Sequence, residues 1–367
     1  MKAISRILIQ TIFILFSSLL LISYLSPFIP PEKLWWLSFL GLAYPILLLF
    51  TIFSLLFSIW KKWKLVYLFL LIFIIGLPFH YRFFGMNIST SEPEETSSFR
   101  LMSQNVRLFN LYDHLSESPK TIKDSIIGRF QSISPDVLCI QEYLSDHNSN
   151  PFIHKKEIEK AGNWKHSFEH IVWKHQNRDY GIATFSRYPI LESGKIENPS
   201  NNKVFSIYTD LLIDTDTIRL YNVHLESIRL QKEEYQLFDH PTEISNSTKQ
   251  GIKSLARKIL KAYEPRVQQT RSIVKHMEQS PYPVIICGDF NDTPISYVYQ
   301  QFNSFLNDAF IQSGFGIGGT YAGRVPAGRI DYIFYAAPIQ STQFNVDRVK
   351  LSDHYAIWTD LTLVTAK

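Results

Sequence analysis

Carboxylate, amide and imidazole side chains stand at the ends of apolar runs, or directly before them, at six places between residues 103 and 357. The six motifs are SQNVR with Asn105, CIQE ending at Glu142, NVHLES with His224, CGDFND with Asp289 and Asn291, RIDYIF with Asp331, and SDHYAI with Asp353 and His354. Apolar, β-branched runs predict buried strands, so each polar group would be presented by a rigid scaffold. Oxygen and nitrogen donors that converge from separate strands can hold a hard divalent cation and a phosphate ester. The pattern therefore predicts a metal-dependent phosphoesterase.

Two of the motifs predict the metal site. Glu142 ends the run DVLCIQ, and Mg²⁺ is usually held by one or two carboxylates, with water and substrate phosphate in the other positions. Asn105 would add a neutral oxygen or orient a water molecule. A single Glu after a strand is more often a solvated loop acid, but the five other motifs favour the ligand. Mg²⁺ is the expected ion, with Mn²⁺ as the alternative.

The other motifs predict acid–base and charge-stabilising groups. Asp289 and Asn291 follow the run PVIIC and a glycine that allows a tight turn, so one would activate water while the other positions the water or the phosphate. His354 would stabilise charge on a phosphate oxygen, with Asp331 as the carboxylate that keeps it protonated. His224 is a second imidazole able to contact the phosphate.

Strands and a few helices must position these groups. The predicted strands are Phe99–Val106, Val137–Gln141, Gly181–Phe185, Val204–Ile213, Thr217–Val223, Val284–Gly288, Ile330–Tyr335 and Tyr355–Val364. The predicted helices are Ser118–Ile133 and Lys253–Glu278. Residues 229–252 break the strand pattern and predict a mobile insert. Many strands with few helices favour an α/β sandwich over a regularly alternating parallel sheet.

The N-terminal part of the chain predicts a membrane anchor. Residues 1–84 carry seven Lys and Arg and one acid, whereas the remainder has a net charge of −2 and offers nucleic acid no global positive field. About 20 apolar residues cross the hydrocarbon core of a bilayer. The apolar segments 7–25, 34–60 and 65–82 therefore predict three transmembrane helices within a domain of residues 1–84. A cleaved signal peptide is the alternative for the first segment, although no small-x-small cleavage site follows it.

Charge and composition predict the orientation of this anchor. Lys2 and Arg6 precede the first span, and Lys61, Lys62 and Lys64 crowd the second loop. Because positive loops stay in the cytoplasm, three spans predict a multi-pass inner- or plasma-membrane protein whose catalytic domain lies outside the cytoplasm. If the third segment does not cross, the orientation of the domain inverts.

The rest of the chain is predicted to be a tether and one domain. The polar, acidic residues 85–98 predict a flexible tether, and residues 99–367 the catalytic domain. Cys139 and Cys287 lie within apolar strands and are expected to be buried free thiols. A disulfide bridge between them is the alternative in an oxidising compartment.

The motifs together resemble the endonuclease/exonuclease/phosphatase superfamily, which includes DNase I-like nucleases, exonuclease III-like repair enzymes, neutral sphingomyelinases and inositol polyphosphate 5-phosphatases. The resemblance rests on QE at 141–142, GDFN at 288–291 and SDH at 352–354, with further matches at 105–106, 181–190, 224–225 and 329–334. It covers roughly residues 99–365. It implies an α/β fold, a four-layer sandwich of two packed β-sheets with helices on both outer faces.

The resemblance also implies a role for each residue. It places Asn105, Glu142 and Asp353 in the Mg²⁺ environment, Asp289 at water activation, Asn291 and His224 on the phosphate, His354 at the transition state and Asp331 as the residue that orients His354. One or two metal ions fit these ligands equally well. Arg107 stands where the repair branch carries an acid, which argues against a role in abasic-site repair.

Three functional hypotheses follow. An active, membrane-anchored phosphoesterase is favoured because every position with a catalytic role is present. A non-catalytic, membrane-tethered binding module is expected to lack one of Glu142, Asp289 or His354, and a purely structural membrane protein gives the strand-end carboxylates no purpose. The expected partners are the bilayer and a phosphate ester, either nucleic acid or a lipid headgroup, and the sequence indicates no protein partner.

Overall fold

The computed structural model describes residues 3–87, 98–112, 115, 117–149, 151–198, 203–228, 246–323 and 328–364. The chain divides into two compact units, one of residues 1–84 with 292–301 and one of residues 85–291 with 302–367. The predicted tether falls mainly on residues 88–97, which lie outside the described residues.

The first unit is helical. Its helices are α1 (Ala3–Ser23), α2 (Trp35–Trp60), α3 (Val66–Ile75) and α4 (Leu77–His80). Among the described residues, two helices are long and apolar enough to cross a membrane, Ile4–Ser23 and Trp35–Trp60. The prediction of three transmembrane helices was therefore wrong in number. The third apolar segment forms a ten-residue helix that ends at Gly76, because the following Leu-Pro starts a new short helix.

Several polar groups buried in this unit are hydrogen-bonded to other groups of the unit. His80 Nε2 lies 3.1 Å from the Phe73 carbonyl oxygen and must therefore carry a hydrogen, so Nδ1 accepts from the Tyr44 hydroxyl. Arg82 donates to the carbonyl oxygen of Pro294 at 3.0 Å and to Gln300 Oε1 at 2.6 Å. These bonds hold the segment 292–301 within the helical unit, and no sequence pattern predicts that grouping.

The second unit contains two six-stranded sheets. One sheet has the strand order β10-β12-β9-β8-β7-β6 and the other β13-β14-β2-β3-β5-β4. The strands are β1 (Phe84–Met86), β2 (Ser98–Asn105), β3 (Val137–Asp146), β4 (His166–His175), β5 (Arg178–Ser186), β6 (Ile190–Glu197), β7 (Val204–Ile213), β8 (Asp216–His224), β9 (Val284–Asp289), β10 (Asn307–Asp308), β11 (Phe315–Ile317), β12 (Asp331–Tyr335), β13 (Ile339–Asp347) and β14 (Ala356–Leu363). Every predicted strand is confirmed by one of these.

The remaining helices are α5 (Pro119–Ile133), α6 (Lys155–Gly162), α7 (Asn246–Met277), α8 (Tyr297–Asn303) and α9 (Ala309–Ser313). Ser118 caps α5 by accepting a hydrogen bond from the Thr121 amide, at the predicted start of that helix. Residues 229–245 of the predicted insert lie outside the described residues. Residues 246–252 were wrongly included in that insert, because they form the first turns of α7.

Three sets of contacts hold the four layers of the sandwich together. One cluster of buried side chains joins the facing sheets, for example Leu101 of β2 with Ile285 of β9. A second cluster packs α5 onto the other face of the β2–β3 sheet, through Phe130. On the outer face of the other sheet, the His276 ring of α7 packs at a tilt against Tyr208 of β7, with 4.8 Å between the ring centroids. The predicted four-layer α/β sandwich is confirmed, and Cys139 and Cys287 are buried free thiols as predicted.

Candidate active site

Three predicted residues lie side by side at the same end of three neighbouring strands, β8, β9 and β12. His224 of β8 is the register partner of Asp289 of β9, which is in turn the partner of Asp331 of β12. Two carboxylates directly opposite each other repel, so this pairing needs a nearby cation. Both aspartates are buried, with 1% and 3% of their surface exposed, and the requirement is correspondingly strict.

The turn after β9 explains the GDFN motif. Gly288 has φ +139°, and a Cβ built on it would lie 2.0 Å from the Val223 carbonyl oxygen, so only glycine fits. Asn291 takes a left-handed conformation with φ +52°. Its backbone N–H donates to Asp289 Oδ1 at 2.9 Å, and its side-chain Nδ2 donates to the Leu225 carbonyl oxygen at 3.0 Å. The turn therefore folds Asn291 back over the carboxylate that precedes it.

His354 supplies the cation that the two aspartates need. Its Nδ1 lies 3.0 Å from Asp331 Oδ2 and its Nε2 lies 3.6 Å from Asp289 Oδ2. Burial lowers the pKa of His354, but the charges of Asp331 and Asp289 outweigh burial, so its pKa lies well above the usual value. The pKa of Asp289 is raised, chiefly by burial, although His354 and His224 oppose that shift. An imidazolium held between two carboxylates is the stable arrangement of these three groups.

The facing sheet contributes Asn105 and Glu142. Glu142 lies at a register shift in β3 between Ile140 and Tyr143 and has φ +49°. Such bulges re-aim side chains beside functional sites. Asn105 Nδ2 lies 3.1 Å from Glu142 Oε1 and 3.1 Å from Asp289 Oδ2, so one amide joins the carboxylates of the two sheets.

The orientation of the Asn105 amide is fixed by its other neighbour. The Arg107 backbone N–H donates to Asn105 Oδ1 at 3.0 Å. Because an N–H can only donate, the side-chain nitrogen must face the two carboxylates. Asn105 thus acts as a donor that orients Glu142 and Asp289. The two roles predicted for Asn105, a neutral oxygen for the metal or the orientation of a water molecule, both stay predictions.

The structure pairs Asp353 with Arg107, whose Nη1 lies 2.7 Å from Asp353 Oδ2. Four consecutive residues, Arg107 to Asn110, have positive φ between 44° and 60°, an unusual conformation outside glycine that marks a constrained segment. This turn follows Asn105 directly and brings the guanidinium to the site. A carboxylate in an ion pair with Arg is a weaker candidate for a metal ligand than Glu142.

His224 completes the opening of the site. Its Nε2 lies 3.9 Å from Glu142 Oε1 and 3.7 Å from Asp289 Oδ2. Its side chain is 28% exposed and that of Glu142 is 34% exposed, whereas Asp289 is 2% exposed. These two side chains therefore face the surface, where a ligand can reach them.

One group of side chains, and separately Glu142, could hold a metal ion. Asp289, Asp331 and His354 can each offer a ligand atom within 4.8 Å of one another. A doubly protonated imidazole has no lone pair for a metal, so this buried group is better read as a charged triad. Glu142 offers carboxylate oxygens on a side chain that is 34% exposed, with the His224 imidazole 3.9 Å away, and it fits a hard divalent cation.

Several residues that position the site were missed from the sequence. The Thr320 hydroxyl accepts the Asp331 N–H at 3.0 Å, and the Tyr321 ring packs edge-on against His354 at 5.2 Å. Arg266 and Gln269 of α7 bind the backbone that follows His224. Of these residues, only Arg266 and Gln269 could have been recognised in the sequence, as two polar residues at positions i and i+3 on an otherwise buried helix face.

Comparison with known proteins gives two family matches. Residues 102–354 match the model of the Endonuclease/Exonuclease/phosphatase family. Residues 6–83 match the model of a domain of unknown function (DUF8431). None of the curated proteins compared with the chain matches it.

Solved structures share the sandwich at low sequence identity. An endonuclease/exonuclease/phosphatase from Beutenbergia cavernae aligns with TM-score 0.52 and 18% identity, over 73% of this chain and 72% of that one. One from Bacteroides vulgatus aligns with TM-score 0.53 and 17% identity, over 73% and 99%. The human Nocturnin catalytic domain with bound sulfate anion aligns with TM-score 0.52 and 18% identity, over 74% and 97%. At these identities the likeness shows the fold.

Proposed function

The chain belongs to the endonuclease/exonuclease/phosphatase family, and on that premise we propose that it is a divalent-metal-dependent hydrolase of phosphate esters. The observation that carries the proposal is the buried imidazolium of His354 between Asp331 and Asp289, with Asn105 linking Asp289 to Glu142. Burying three charged groups costs free energy that their mutual attraction must offset, and such groups are concentrated at catalytic sites, so the arrangement favours an enzyme over a binding module.

Each side chain has a role that its geometry supports. His354 donates to the oxygen on which negative charge grows, and Asp331 holds the imidazole ring in its charged form. Asp289 takes the proton of the attacking water, a role favoured by its position between the His354 and His224 imidazoles at 3.6 and 3.7 Å. Asn291 and His224 hold the phosphate. These assignments are proposals for the residues the motifs single out.

Glu142 is the residue that would hold the cation, with Asn105 orienting its carboxylate and Asp353 available if its pairing with Arg107 opens. A bound Mg²⁺ or Mn²⁺ supplies Lewis-acid polarisation of the phosphate ester. The donor set agrees with a hard cation because it offers carboxylate oxygens and no thiolate.

Hydrolysis by the full chain in detergent tests the function. DNA, RNA, sphingomyelin and phosphoinositides are supplied in separate reactions, each with Mg²⁺, with Mn²⁺ and with excess chelator. Cleavage of at least one ester that needs the cation and is lost in Asp289→Asn supports the proposal. Asp216→Asn, at the exposed far end of β8, is the matched control and keeps full activity. No cleavage of any ester, or full activity in chelator, contradicts it.

The substrate class is proposed as a phosphodiester, with nucleic acid and lipid headgroups as the two candidates that the assay separates. The lipid candidate is favoured by the N-terminal helices. Only 17% and 33% of the residues in their apolar windows are buried, and side chains such as Ile46 and Leu49 are each 68% exposed. Helices of a soluble core would be covered, so this exposure supports a bilayer around α1 and α2.

We also propose that α1 and α2 cross the membrane as a hairpin. Lys2 and Arg6 precede the first span and Lys61, Lys62 and Lys64 follow the second. With two crossings both groups lie in the cytoplasm, and so does the catalytic domain. The prediction that the catalytic domain lies outside the cytoplasm required a third crossing. Protease added to intact spheroplasts should leave residues 85–98 uncut until the membrane is lysed, and cleavage in intact spheroplasts would contradict the hairpin.

A further inference from the structure

One peptide group next to the candidate site is held from both sides. The Leu225 carbonyl oxygen accepts from Asn291 Nδ2 at 3.0 Å, and the Glu226 N–H donates to Gln269 Oε1 at 2.9 Å. These two backbone groups belong to the same planar trans peptide, so they point in opposite directions and move together. Whatever fixes the Glu226 N–H therefore also aims the Leu225 carbonyl at Asn291.

Helix α7 provides the fixed end of this arrangement. Gln269 is 3% exposed and lies one helical turn from Arg266, which is 2% exposed. Arg266 donates through Nε and Nη2 to the Glu226 carbonyl oxygen at 3.0 and 2.8 Å. The N–H and the C=O of Glu226 are thus both bound by buried side chains of one helix. A residue held at both its donor and its acceptor has little freedom to rotate.

The opposite end of the peptide reaches a residue of the site. Asn291 Nδ2 carries two hydrogens, and the bond to Leu225 uses one of them. The second hydrogen is left in a fixed direction, set by a carbonyl that can only accept. Leu225 itself is anchored by its N–H, which donates to the Asp289 carbonyl oxygen at 2.9 Å. The direction of the Asn291 amide is therefore determined by α7 through a single peptide plane.

We propose that Gln269, supported by Arg266, is a positioning residue that aims the Asn291 amide at the phosphate of the substrate. The proposal rests on the proposed function, because it assigns Asn291 to a phosphate. It goes further in placing a determinant of turnover on helix α7, which follows the segment 229–245 and holds the backbone beside the site through Gln269 and Arg266. Gln269 acts through the Leu225–Glu226 peptide and touches no reacting atom.

The test compares three substitutions at Gln269 in the full chain. Gln269→Leu keeps the size of the side chain and removes the acceptor, whereas Gln269→Glu keeps an acceptor for the Glu226 N–H. A misplaced catalytic group commonly costs on the order of 10–100-fold in rate, so Gln269→Leu should lower kcat by about that factor with little change in KM. Gln269→Glu should restore most of the rate. Gln269→Asn, too short to reach, repeats the test if the Leu variant does not fold.

A double-substitution cycle separates positioning from general damage. In an Asn291→Ala background the Asn291 amide is gone, so Gln269→Leu should cost less than about 3-fold more, because the two changes act on one interaction. Gln268→Leu is the matched control, one residue earlier and about 100° around the helix, and should keep the wild-type kcat. Losses that multiply, or a Gln269→Leu variant with wild-type kcat, overturn the proposal.

Binding of inorganic phosphate gives a result that needs no turnover. Titration calorimetry of the full chain with phosphate and Mg²⁺ should show equal weakening in Gln269→Leu and Asn291→Ala. If the wild type binds phosphate but cleaves no ester, the proposed function fails while this measurement still decides the role of Gln269. If Gln269→Leu binds phosphate as the wild type does, or the wild type binds none, the positioning role is overturned.

Discussion

The candidate site has a buried half and an open half, and they differ in how their charges are matched. In the buried half, the side chains of His354, Asp289 and Asp331 are 6%, 2% and 3% exposed. In the open half, those of His224 and Glu142 are 28% and 34% exposed. In the buried half, one imidazolium lies between two carboxylates, so each carboxylate has a cation beside it although the group as a whole keeps one negative charge. In the open half, the His224 Nε2 atom lies 3.9 Å from Glu142 Oε1 and 3.7 Å from Asp289 Oδ2, so these opposite charges are not in direct hydrogen-bond contact.

The difference teaches which groups are permanent and which are exchangeable. A buried charge is tolerated only when a partner is fixed beside it, so removing one member leaves the others unpaired. A half-exposed charge is solvated by water and can exchange water for a ligand at little cost. Under the proposed function, the buried half would therefore supply a fixed electrostatic field, and the open half would bind the cation and the phosphate.

The largest effect is expected from His354→Ala, which removes the cation of the buried half. Loss of one preorganised donor typically costs about 10²–10³-fold in rate, or about 3–4 kcal/mol. If His354 acts on the transition state, kcat should fall with little change in KM. Steady-state kinetics on whichever ester the enzyme cleaves gives both constants. His175→Ala, an exposed histidine on β4, is the control. A change in KM alone would place His354 in binding.

A substitution in the open half should change how activity depends on the Mg²⁺ concentration. Glu142→Gln keeps the shape of the side chain and removes its charge, so the Mg²⁺ concentration that gives half-maximal activity should rise by about 10–100-fold, the range typical of damaged metal sites. Titration of activity with Mg²⁺ measures the shift. Glu197→Gln, on a side chain 40% exposed, should leave the titration unchanged. An unaltered titration in Glu142→Gln would move the metal to another group.

A buried carboxylate away from the imidazoles tests whether burial alone confers a role in catalysis. Burial opposes ionisation of Asp146, but the Asn148 amide, Arg178 and the Phe152 amide outweigh it and lower its pKa to about 2. Because the folded pKa lies below the unfolded value of 3.8, this stabilisation is present above pH 3.8 and is lost as the pH falls towards 2.

Asp146→Asn should therefore lower the free energy of unfolding by about 2 kcal/mol at neutral pH, with a smaller difference at pH 3 and no change in kcat. Thermal unfolding of the full chain at the two pH values measures the first effect, and the activity assay measures the second. Asp216→Asn is again the control. A large loss of kcat with unchanged stability would show that the buried half of the site extends to Asp146.

The sequence predicted the interior of the sandwich well and its edges poorly. All eight predicted strands exist, whereas six strands were missed. Four of these, β4, β6, β10 and β13, are the edge strands of the two six-stranded sheets, and β1 and β11 form a separate two-stranded sheet. Edge strands have half-exposed faces, as the mostly partly exposed residues of β4 show, so they contain no long apolar run to recognise. The prediction of a third transmembrane helix was wrong for a different reason. The segment is apolar enough, but hydropathy does not register that Gly76 and Pro78 interrupt the helix.

The sequence predicted which residues lie together in the site, but it did not predict which contacts each of them makes. Strand-end motifs indicate which groups converge, because parallel and antiparallel register is set by the alternation of buried residues. They do not reveal that Asn105 turns its nitrogen to the carboxylates or that Arg107 pairs with Asp353. Both features depend on a turn with four positive φ angles, for which the sequence NVRLFN gives no glycine signal.

The smallest expected effect is that of Asp331→Asn added to His354→Ala, and it tests most directly whether the two residues of the buried half act together. Asp331 is proposed to act only by holding and charging the His354 ring, through contacts of 3.1 and 3.0 Å to Nδ1. Once His354 is replaced by Ala, Asp331 has nothing left to hold, so adding Asp331→Asn should lower kcat by less than about 3-fold more. Asp331→Asn alone should be strongly impaired, because an amide cannot stabilise the imidazolium. If the two losses multiply instead, Asp331 works independently of His354, and the acidic group of Asp289 and Asp331 becomes a candidate for the cation. That outcome would reverse the comparison, since the buried half would then recruit the metal and the open half would only admit the substrate.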